Sequence, residues 1–97
     1  MVIAVPYVQG MISDHFGRTE CFKIYETGNG EVVSEKLVQT EGVGHFYMVQ
    51  FLVGLQVDTV LCKGMGEPSR KALEIAGIQV VLTEKSEADQ AVRDLLL

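Results

Sequence analysis

The sequence predicts an α/β domain built on one mixed β-sheet, and three observations support that prediction. The chain opens on a nearly continuous apolar run rich in Val and Ile, which is typical of a strand buried on both faces. Two further strand-like segments follow, with an Asn-Gly turn between them. The second half alternates apolar strands with segments of helical periodicity, which is the pattern of parallel strands joined by helical crossovers.

The first half of the chain predicts three strands. Met1–Tyr7 is the opening central strand, and Val8–Arg18 is a polar loop after it. Cys21–Glu26 is the second strand, which turns back through Thr27–Gly30 because Asn-Gly adopts positive φ at little cost. Glu31–Gln39 returns as the third strand, and its charged side chains indicate an edge of the sheet. These three strands therefore form an antiparallel meander.

The second half predicts two helices around an apolar strand. His45–Leu55 is a strongly apolar helix, and Gln56–Cys62 is the strand. Pro68 suits the first turn of a helix over Ser69–Ala76, because that turn does not need its missing N–H, and Gly77 is the expected stop. Core positions are expected at four apolar residues of the first helix: Phe46, Met48, Phe51 and Leu52.

One more strand and one more helix complete the prediction. Ile78–Thr83 is an apolar strand, and Ser86 with Asp89 resembles a capping box at the start of the closing helix. One face of that helix carries its apolar residues: Ala88, Ala91, Val92, Leu95 and Leu96. The order β-β-β-α-β-α-β-α gives a five-stranded mixed sheet of order 3-2-1-4-5 with three helices, which is a ribonuclease-H-like arrangement.

Length and composition limit the possible functions. The 97 residues fit one small domain, residues 1–97, and 47% of them are hydrophobic. The formal net charge of −5 disfavours nucleic acid and anionic membranes as main partners, since phosphate contacts need clustered Lys and Arg. The sequence shows neither an apolar run long enough to span a membrane nor a signal-peptide pattern, so a cytoplasmic protein is expected.

Strand direction brings the chemically active residues to one end of the predicted sheet. The loop with His15 follows the first strand, and Gly42–His45 follows the third strand at the same end. Cys21 begins the second strand there, and the fourth strand ends there with Cys62, followed by Lys63–Gly66. Two helices also start at this end, and their free N–H groups and dipoles favour an anion. Ligands bind at the carboxyl ends of strands in open α/β sheets, so a site is predicted here.

His15, in the segment Ser13–Arg18, is the first candidate site residue. Its imidazole could ligate a metal or a metal cluster, or carry a proton. The alternative is a histidine that only belongs to a turn. Ser13 or Asp14 would either orient the ring, as outer partners of metal ligands do, or cap the turn.

Three other side chains are candidate metal ligands. His45 opens a helix, where the dipole disfavours the protonated imidazole and leaves it available for metal; a solvent-facing residue at a helix start is the alternative. Cys21 and Cys62 offer thiolates, which bind iron and zinc well, or they are inert thiols in apolar strands. They form no Cys-x-x-Cys pair, so a zinc finger or a thioredoxin-type site is not expected.

A glycine-bearing loop follows the fourth strand. Gly64-Met65-Gly66 could hold an anion with its backbone N–H groups, or it could be a tight connection between strand and helix. It lacks the Lys-Ser/Thr ending of a nucleotide-binding P-loop. Arg18, Lys63 and Arg70 add positive charge at this end of an otherwise acidic chain.

These motifs together resemble the dinitrogenase iron–molybdenum cofactor biosynthesis family, of the NifX/NifY type that also forms the C-terminal domain of NifB-type proteins. The resemblance covers nearly the whole chain. Besides the opening strand, its motifs are Ser13-Asp14-His15-Phe16-Gly17, Gly42–His45 before a helix, Val57–Val60 leading into Gly64–Gly66, and Ala76–Val80. The family's second motif is often richer in His and Gly, and only His45 is present there as a possible ligand.

The resemblance implies a non-catalytic protein that binds and carries an iron–sulfur or iron–molybdenum cluster, or its precursor. His15 carries over as the cluster-contacting residue, with His45 or a cysteine assisting and with Arg18 and Gly64–Gly66 holding the negative charge. Cluster-assembly or acceptor proteins would be its partners. The alternative is a metal-free regulatory module that binds a small anion or a protein. A nuclease of the ribonuclease-H type is disfavoured, because the first strand carries no carboxylate.

Overall fold

The computed structural model describes residues 1–41 and 44–97, with His45 described by its backbone alone. A 3₁₀ turn, Phe16–Arg18, follows the second strand. None of the helices in this described part has both the length and the apolar character needed to cross a membrane. The described strands and helices are β1 (Val2–Val8), β2 (Met11–Ile12), β3 (Cys21–Gly28), β4 (Glu31–Gln39), α1 (His45–Gly54), β5 (Thr59–Cys62), α2 (Glu67–Ile75), β6 (Gln79–Leu82) and α3 (Ala88–Leu96).

The strands form one mixed sheet in the order β4-β3-β1-β5-β6, with the two-residue β2 paired to β1 outside this path. The β4–β3 and β3–β1 pairs are antiparallel, and the β1–β5 and β5–β6 pairs are parallel. The predicted order 3-2-1-4-5 is confirmed. β2 lies inside the segment predicted as a loop, because the chain turns tightly at Gln9 and Gly10, where φ is 48° and 87°.

Alternation along β1 divides the core between the two faces of the sheet. Ala4 belongs to the apolar cluster that Met48 of α1 and Leu73 of α2 also join. Ile3 and Val5 belong to the cluster under α3. All of these side chains are fully buried. β1 is therefore a central strand covered on both faces, as its apolar sequence predicts.

The turn and helix boundaries follow from backbone chemistry. Asn29 and Gly30 have φ of 55° and 78°, which this pair adopts readily in a two-residue hairpin turn. Gly77, with φ of 86°, follows α2 as the predicted stop. Gln56 also takes positive φ, 59°, just after α1, so the predicted strand from Gln56 begins only at Thr59.

α1 buries fewer of its apolar residues than the sequence predicts. Met48 and Leu52 are fully buried, and Phe51 packs against the same core. Phe46, however, leaves 72% of its surface exposed. Its expected core position was wrong, because only one stripe of a helix faces the sheet and Phe46 lies on the opposite side from Met48 and Leu52.

The start of α3 corrects the predicted capping box. Glu87 is the N-cap, and no side chain caps the helix there. The Asp89 carboxylate instead accepts hydrogen bonds from Lys23 Nζ at 2.8 Å and from the Tyr25 hydroxyl at 2.7 Å, both on β3. Glu35 on β4 lies 3.1 Å from the same Nζ. This ion cluster joins α3 to the sheet and pairs a lysine whose side chain is only 11% exposed.

The ion cluster shifts the pKa of its members in consistent directions. The hydrogen bonds from Lys23 and Tyr25 lower the pKa of Asp89. Burial raises the pKa of Tyr25, and its hydrogen bond to Asp89 adds to that rise. Burial by itself lowers the pKa of Lys23, but the hydrogen bonds and charges of Asp89 and Glu35 outweigh it, and the pKa is raised. Lys23 and Asp89 therefore both stay charged at neutral pH.

Candidate functional site

A cleft of about 350 Å³ lies at the end of the sheet where β1 and β5 finish. Because β1 and β5 are parallel neighbours, the segments that follow them meet at the same edge. Five of the six residues predicted to bind the cofactor line this one cleft. The lining residues are Asp14, His15, Phe16, Gly17, Arg18, Gly64, Met65, Gly66 and Ser69.

The backbone around His15 is held by hydrogen bonds to nearby residues. The Thr19 hydroxyl donates to the His15 carbonyl at 2.8 Å, and the Ser13 hydroxyl accepts from the His15 N–H at 3.3 Å. The Ser13 N–H in turn donates to the Pro6 carbonyl at the end of β1, at 2.8 Å. Ser13 was predicted either to orient the His15 ring or to cap the turn, and its hydroxyl's bond to the His15 N–H is a turn cap. The His15 residue itself is exposed, so its ring is accessible at the cleft.

Phe16 anchors the same turn in the core. Its side chain is buried and meets the Phe22 ring edge-on, with 5.9 Å between the ring centroids. The Gly17 carbonyl accepts a hydrogen bond of 2.8 Å from the N–H of Gly44, the N-cap of α1. The backbone of His45 therefore starts its helix beside this turn, while the predicted ligand role of its side chain lies outside the described residues, as do Gly42 and Val43.

Asp14 pairs with a cation. Its carboxylate lies 3.9 Å from Lys63 Nζ, and Lys63 also donates to the Ser86 hydroxyl at 3.2 Å. The sequence placed Lys63 at this end of the sheet but gave no sign of this pairing, since the two residues are far apart in the chain. Asp14 therefore contributes negative charge to the cleft, and Arg18 contributes positive charge.

The segment before His15 is also attached to the start of α3. The Ile12 N–H donates to the Ser86 carbonyl at 2.8 Å, and the Ala88 N–H donates to the Gly10 carbonyl at 3.0 Å. An antiparallel bridge also pairs Met11, in the same segment, with Glu87. The loop that carries His15 is thus supported by β1 on one side and by the β6–α3 connection on the other.

The glycine loop leaves open space above its backbone. A Cβ added to Gly64 would meet no atom within 4 Å, and one added to Gly66 would meet only Pro68 Cδ, at 3.7 Å. Neither position needs a glycine, because the backbone there is not left-handed and no neighbouring atom would clash with a Cβ. The Gly66 carbonyl accepts the first bond of α2, from the Arg70 N–H at 3.1 Å. A ligand can therefore approach this backbone closely, and an alanine would narrow the approach without straining the fold.

The two thiols are not brought together with His15. Cys62 is buried in the core, and burial raises the pKa of its thiol to about 11, even though a hydrogen bond from the Gly64 backbone acts to lower it. Cys21 is half-buried and lines a different depression, beside Glu20 and Thr40. Neither cysteine lines the cleft with His15, and the predicted role of each as a metal ligand stays a prediction. Strand ends alone do not fix which way a side chain points.

Metal-ligating side chains are sparse in the described part of the chain. Within residues 1–41 and 44–97, apart from the His45 side chain, no group of three or more His, Cys, Asp or Glu residues is placed to hold a metal ion. The cleft offers one imidazole, one guanidinium, one carboxylate and a stretch of open backbone. This set can contact an anion that carries its own metal ligands, and it does not resemble a site for a bare metal ion.

Sequence and structure comparisons agree with this architecture. The family profile described as "Dinitrogenase iron-molybdenum cofactor" matches residues 1–96. The protein MJ0580 of Methanocaldococcus jannaschii is 25% identical over 99 residues, which cover 96% of this chain and 83% of the relative. Similarity therefore extends over nearly the full length of both proteins.

Two solved structures share the fold. The crystal structure of PH0822 has a TM-score of 0.92 at 21% identity, covering 99% of this chain and 88% of that chain. The apo form of the orange protein from Desulfovibrio gigas has a TM-score of 0.81 at 24% identity, covering 98% and 86%. With the profile match spanning residues 1–96, the chain belongs to the dinitrogenase iron-molybdenum cofactor family.

Proposed function

We propose that this protein is a non-catalytic carrier for an anionic iron–sulfur or iron–molybdenum cofactor, or a precursor of one, during metallocluster biosynthesis. The observation that supports this most directly is the meeting of His15, Arg18 and Gly64–Gly66 in one open cleft. Membership of the dinitrogenase iron-molybdenum cofactor family supplies the class of cargo. The partners would be the proteins that assemble or accept the cluster, and the cytoplasm would be its location.

Each residue of the cleft would contribute a different interaction. The exposed His15 imidazole has a nitrogen lone pair that can bond to a metal of the cargo. The Arg18 guanidinium would donate charge-assisted hydrogen bonds to its anionic surface. The backbone at Gly64, Met65 and Gly66 would approach the cargo closely, because no side chain covers the two glycines.

The other predicted metal ligands play a smaller part in this proposal. The raised pKa keeps the Cys62 thiol protonated at neutral pH, so it is poorly suited to ligation without a rearrangement. Cys21 faces a separate depression. His45 begins α1 next to the cleft turn, and we retain it as the proposed second imidazole.

Anaerobic reconstitution tests the proposal. The metal-free protein is incubated with ferrous iron, sulfide and molybdate under reducing conditions, desalted, and analysed by absorption spectroscopy and metal analysis. The parent should retain coloured metal–sulfur species. A His15→Ala variant should retain about tenfold less, on the scale of the effects seen when support to a metal centre is removed.

Controls separate a lost ligand from lost folding. Because His15 is exposed, His15→Ala should match the parent in circular dichroism and thermal midpoint. Phe46→Ala, an exposed change on α1, should match the parent in metal content. Equal metal content in the His15→Ala variant and the parent would remove His15 from the proposal.

A metal-free regulatory module that binds a small anion is the second candidate. The sparse set of metal-ligating side chains in the described residues favours it. If the parent retains no metal after reconstitution but binds an inorganic anion in the cleft, this second function replaces the first.

A further inference from the structure

We propose that Asp14 is a specificity-determining residue, whose carboxylate weakens the binding of simple oxyanions in the cleft and so favours an anion able to bond a metal to His15. This inference rests on the proposed carrier function and names the selectivity of the same site. Asp14 is the one carboxylate among the residues that line the described cleft.

The Asp14 charge is only partly neutralised. Its side chain is 72% exposed, and its distance of 3.9 Å to Lys63 Nζ is too long for a hydrogen bond. Lys63 instead makes its hydrogen bond to Ser86 and does not line the cleft. An anion entering beside His15 and Arg18 therefore meets a negative charge as well as a positive one.

This arrangement distinguishes two kinds of anion. Phosphate or sulfate would gain only charge and hydrogen-bond interactions from Arg18 and the glycine-loop backbone, and the Asp14 carboxylate opposes the charge interaction. A metal–sulfur anion gains in addition a bond between its metal and the His15 imidazole, which a repulsion between solvent-exposed charges does not offset. Asp14 thus weakens the binding of abundant oxyanions and leaves metal bonding as the interaction that favours the cargo.

Inorganic phosphate is the probe that tests this inference. Phosphate is titrated into the parent and into an Asp14→Asn variant at pH 7.5, with backbone amide chemical shifts recorded at Gly64, Gly66 and Arg18. Removing one exposed like charge from the cleft should tighten phosphate binding about fivefold at low ionic strength. The gain should shrink as salt is added, because salt screens the removed repulsion.

A matched variant controls for net charge. Glu31→Gln makes the same change in net charge, but Glu31 starts β4 beside the hairpin turn at the other end of the strand from the cleft. It should change phosphate affinity less than twofold. The role of Asp14 would be overturned if the Asp14→Asn and Glu31→Gln variants bind phosphate with equal affinity. It would also be overturned if phosphate changes the chemical shifts of the Asp14→Asn variant only at amides outside the cleft.

The same variants distinguish failure of this inference from failure of the carrier function. Tighter phosphate binding by the Asp14→Asn variant, with no metal retained by the parent after reconstitution, would support the exclusion of oxyanions and overturn the carrier function. Metal retained by the parent, with unchanged phosphate affinity in the Asp14→Asn variant, would support the carrier function and overturn the selectivity role. An Arg18→Gln change added to Asp14→Asn should abolish the phosphate gain.

Discussion

Replacing Asp89 by Asn tests how α3 is held on the sheet. The substitution keeps the shape of the side chain and removes the negative charge that accepts hydrogen bonds from Lys23 at 2.8 Å and from Tyr25 at 2.7 Å. Lys23 keeps Glu35 as a second partner, so the lysine is not left alone. The expected result is a folded but less stable protein.

The contacts set the size of the effect. A hydrogen bond to a charged group contributes about 1.5–3 kcal/mol, and one between neutral groups about 0.5–1.5 kcal/mol. Asp89 accepts two bonds, and removing its charge weakens both from the first range to the second, which costs about 2–3 kcal/mol in total. The Asp89 side chain is 42% exposed, and solvent screening reduces the expected loss to about 1–2 kcal/mol. For a domain of this size, that loss lowers the melting temperature by about 5–12 °C.

Thermal unfolding followed by circular dichroism at pH 7 and at lower pH measures the effect. The pKa of Asp89 is lowered in the folded state, so its stabilisation is present above the unfolded pKa of about 4 and is lost as the pH falls through the folded pKa. The difference between parent and variant should therefore close on acidification.

Asp94→Asn is the matched control on the same helix. Asp94 bonds to Gln90 and Lys85 at the surface, and its loss should shift the midpoint less than that of Asp89. Equal shifts for the two variants at pH 7, or an Asp89→Asn difference that persists unchanged through acid, would refute the reasoning about this ion cluster.

Two further predictions concern the core and the thiols. Phe22→Ala empties a fully buried position and should cost about 3–5 kcal/mol in chemical denaturation, whereas Phe46→Ala, which is exposed, should cost far less; similar losses would contradict the assigned packing. Iodoacetamide at pH 8 should modify Cys21 in the native protein and reach Cys62 only after unfolding, because Cys62 is buried and its pKa is raised to about 11. Mass spectrometry showing native modification of Cys62 at the rate of Cys21 would contradict this.

Much of the fold could be predicted because it depends on patterns that repeat along the chain. Apolar runs located the central strands, and Asn29-Gly30 located the hairpin. The two-residue β2 escaped detection because it is too short to show a period, and it forms through pairing with β1 and with the segment before α3. The boundary at Gln56 was wrong because a left-handed backbone at a non-glycine residue has a weak sequence signal.

The candidate site could be predicted where strand direction decides the outcome. His15 and Gly64–Gly66 follow two parallel neighbouring strands, so topology alone brings them to one edge. Cys21 and Cys62 also lie at that edge, but the direction of each side chain depends on pleat and burial, which the sequence did not reveal. Asp89 was predicted to form part of a cap, because the sequence does not show that α3 packs next to β3. In the fold its carboxylate instead accepts a hydrogen bond from Lys23.

The attachment of Gly10–Ile12 to Ser86–Ala88 has a consequence for biosynthesis of the protein. Gly10–Ile12 leave the ribosome well before Ser86–Ala88, whose backbone bonds support the segment that leads to His15. A nascent chain halted before Ser86 lacks these bonds. The cleft can therefore reach its final form only after Ser86–Ala88 have been synthesised.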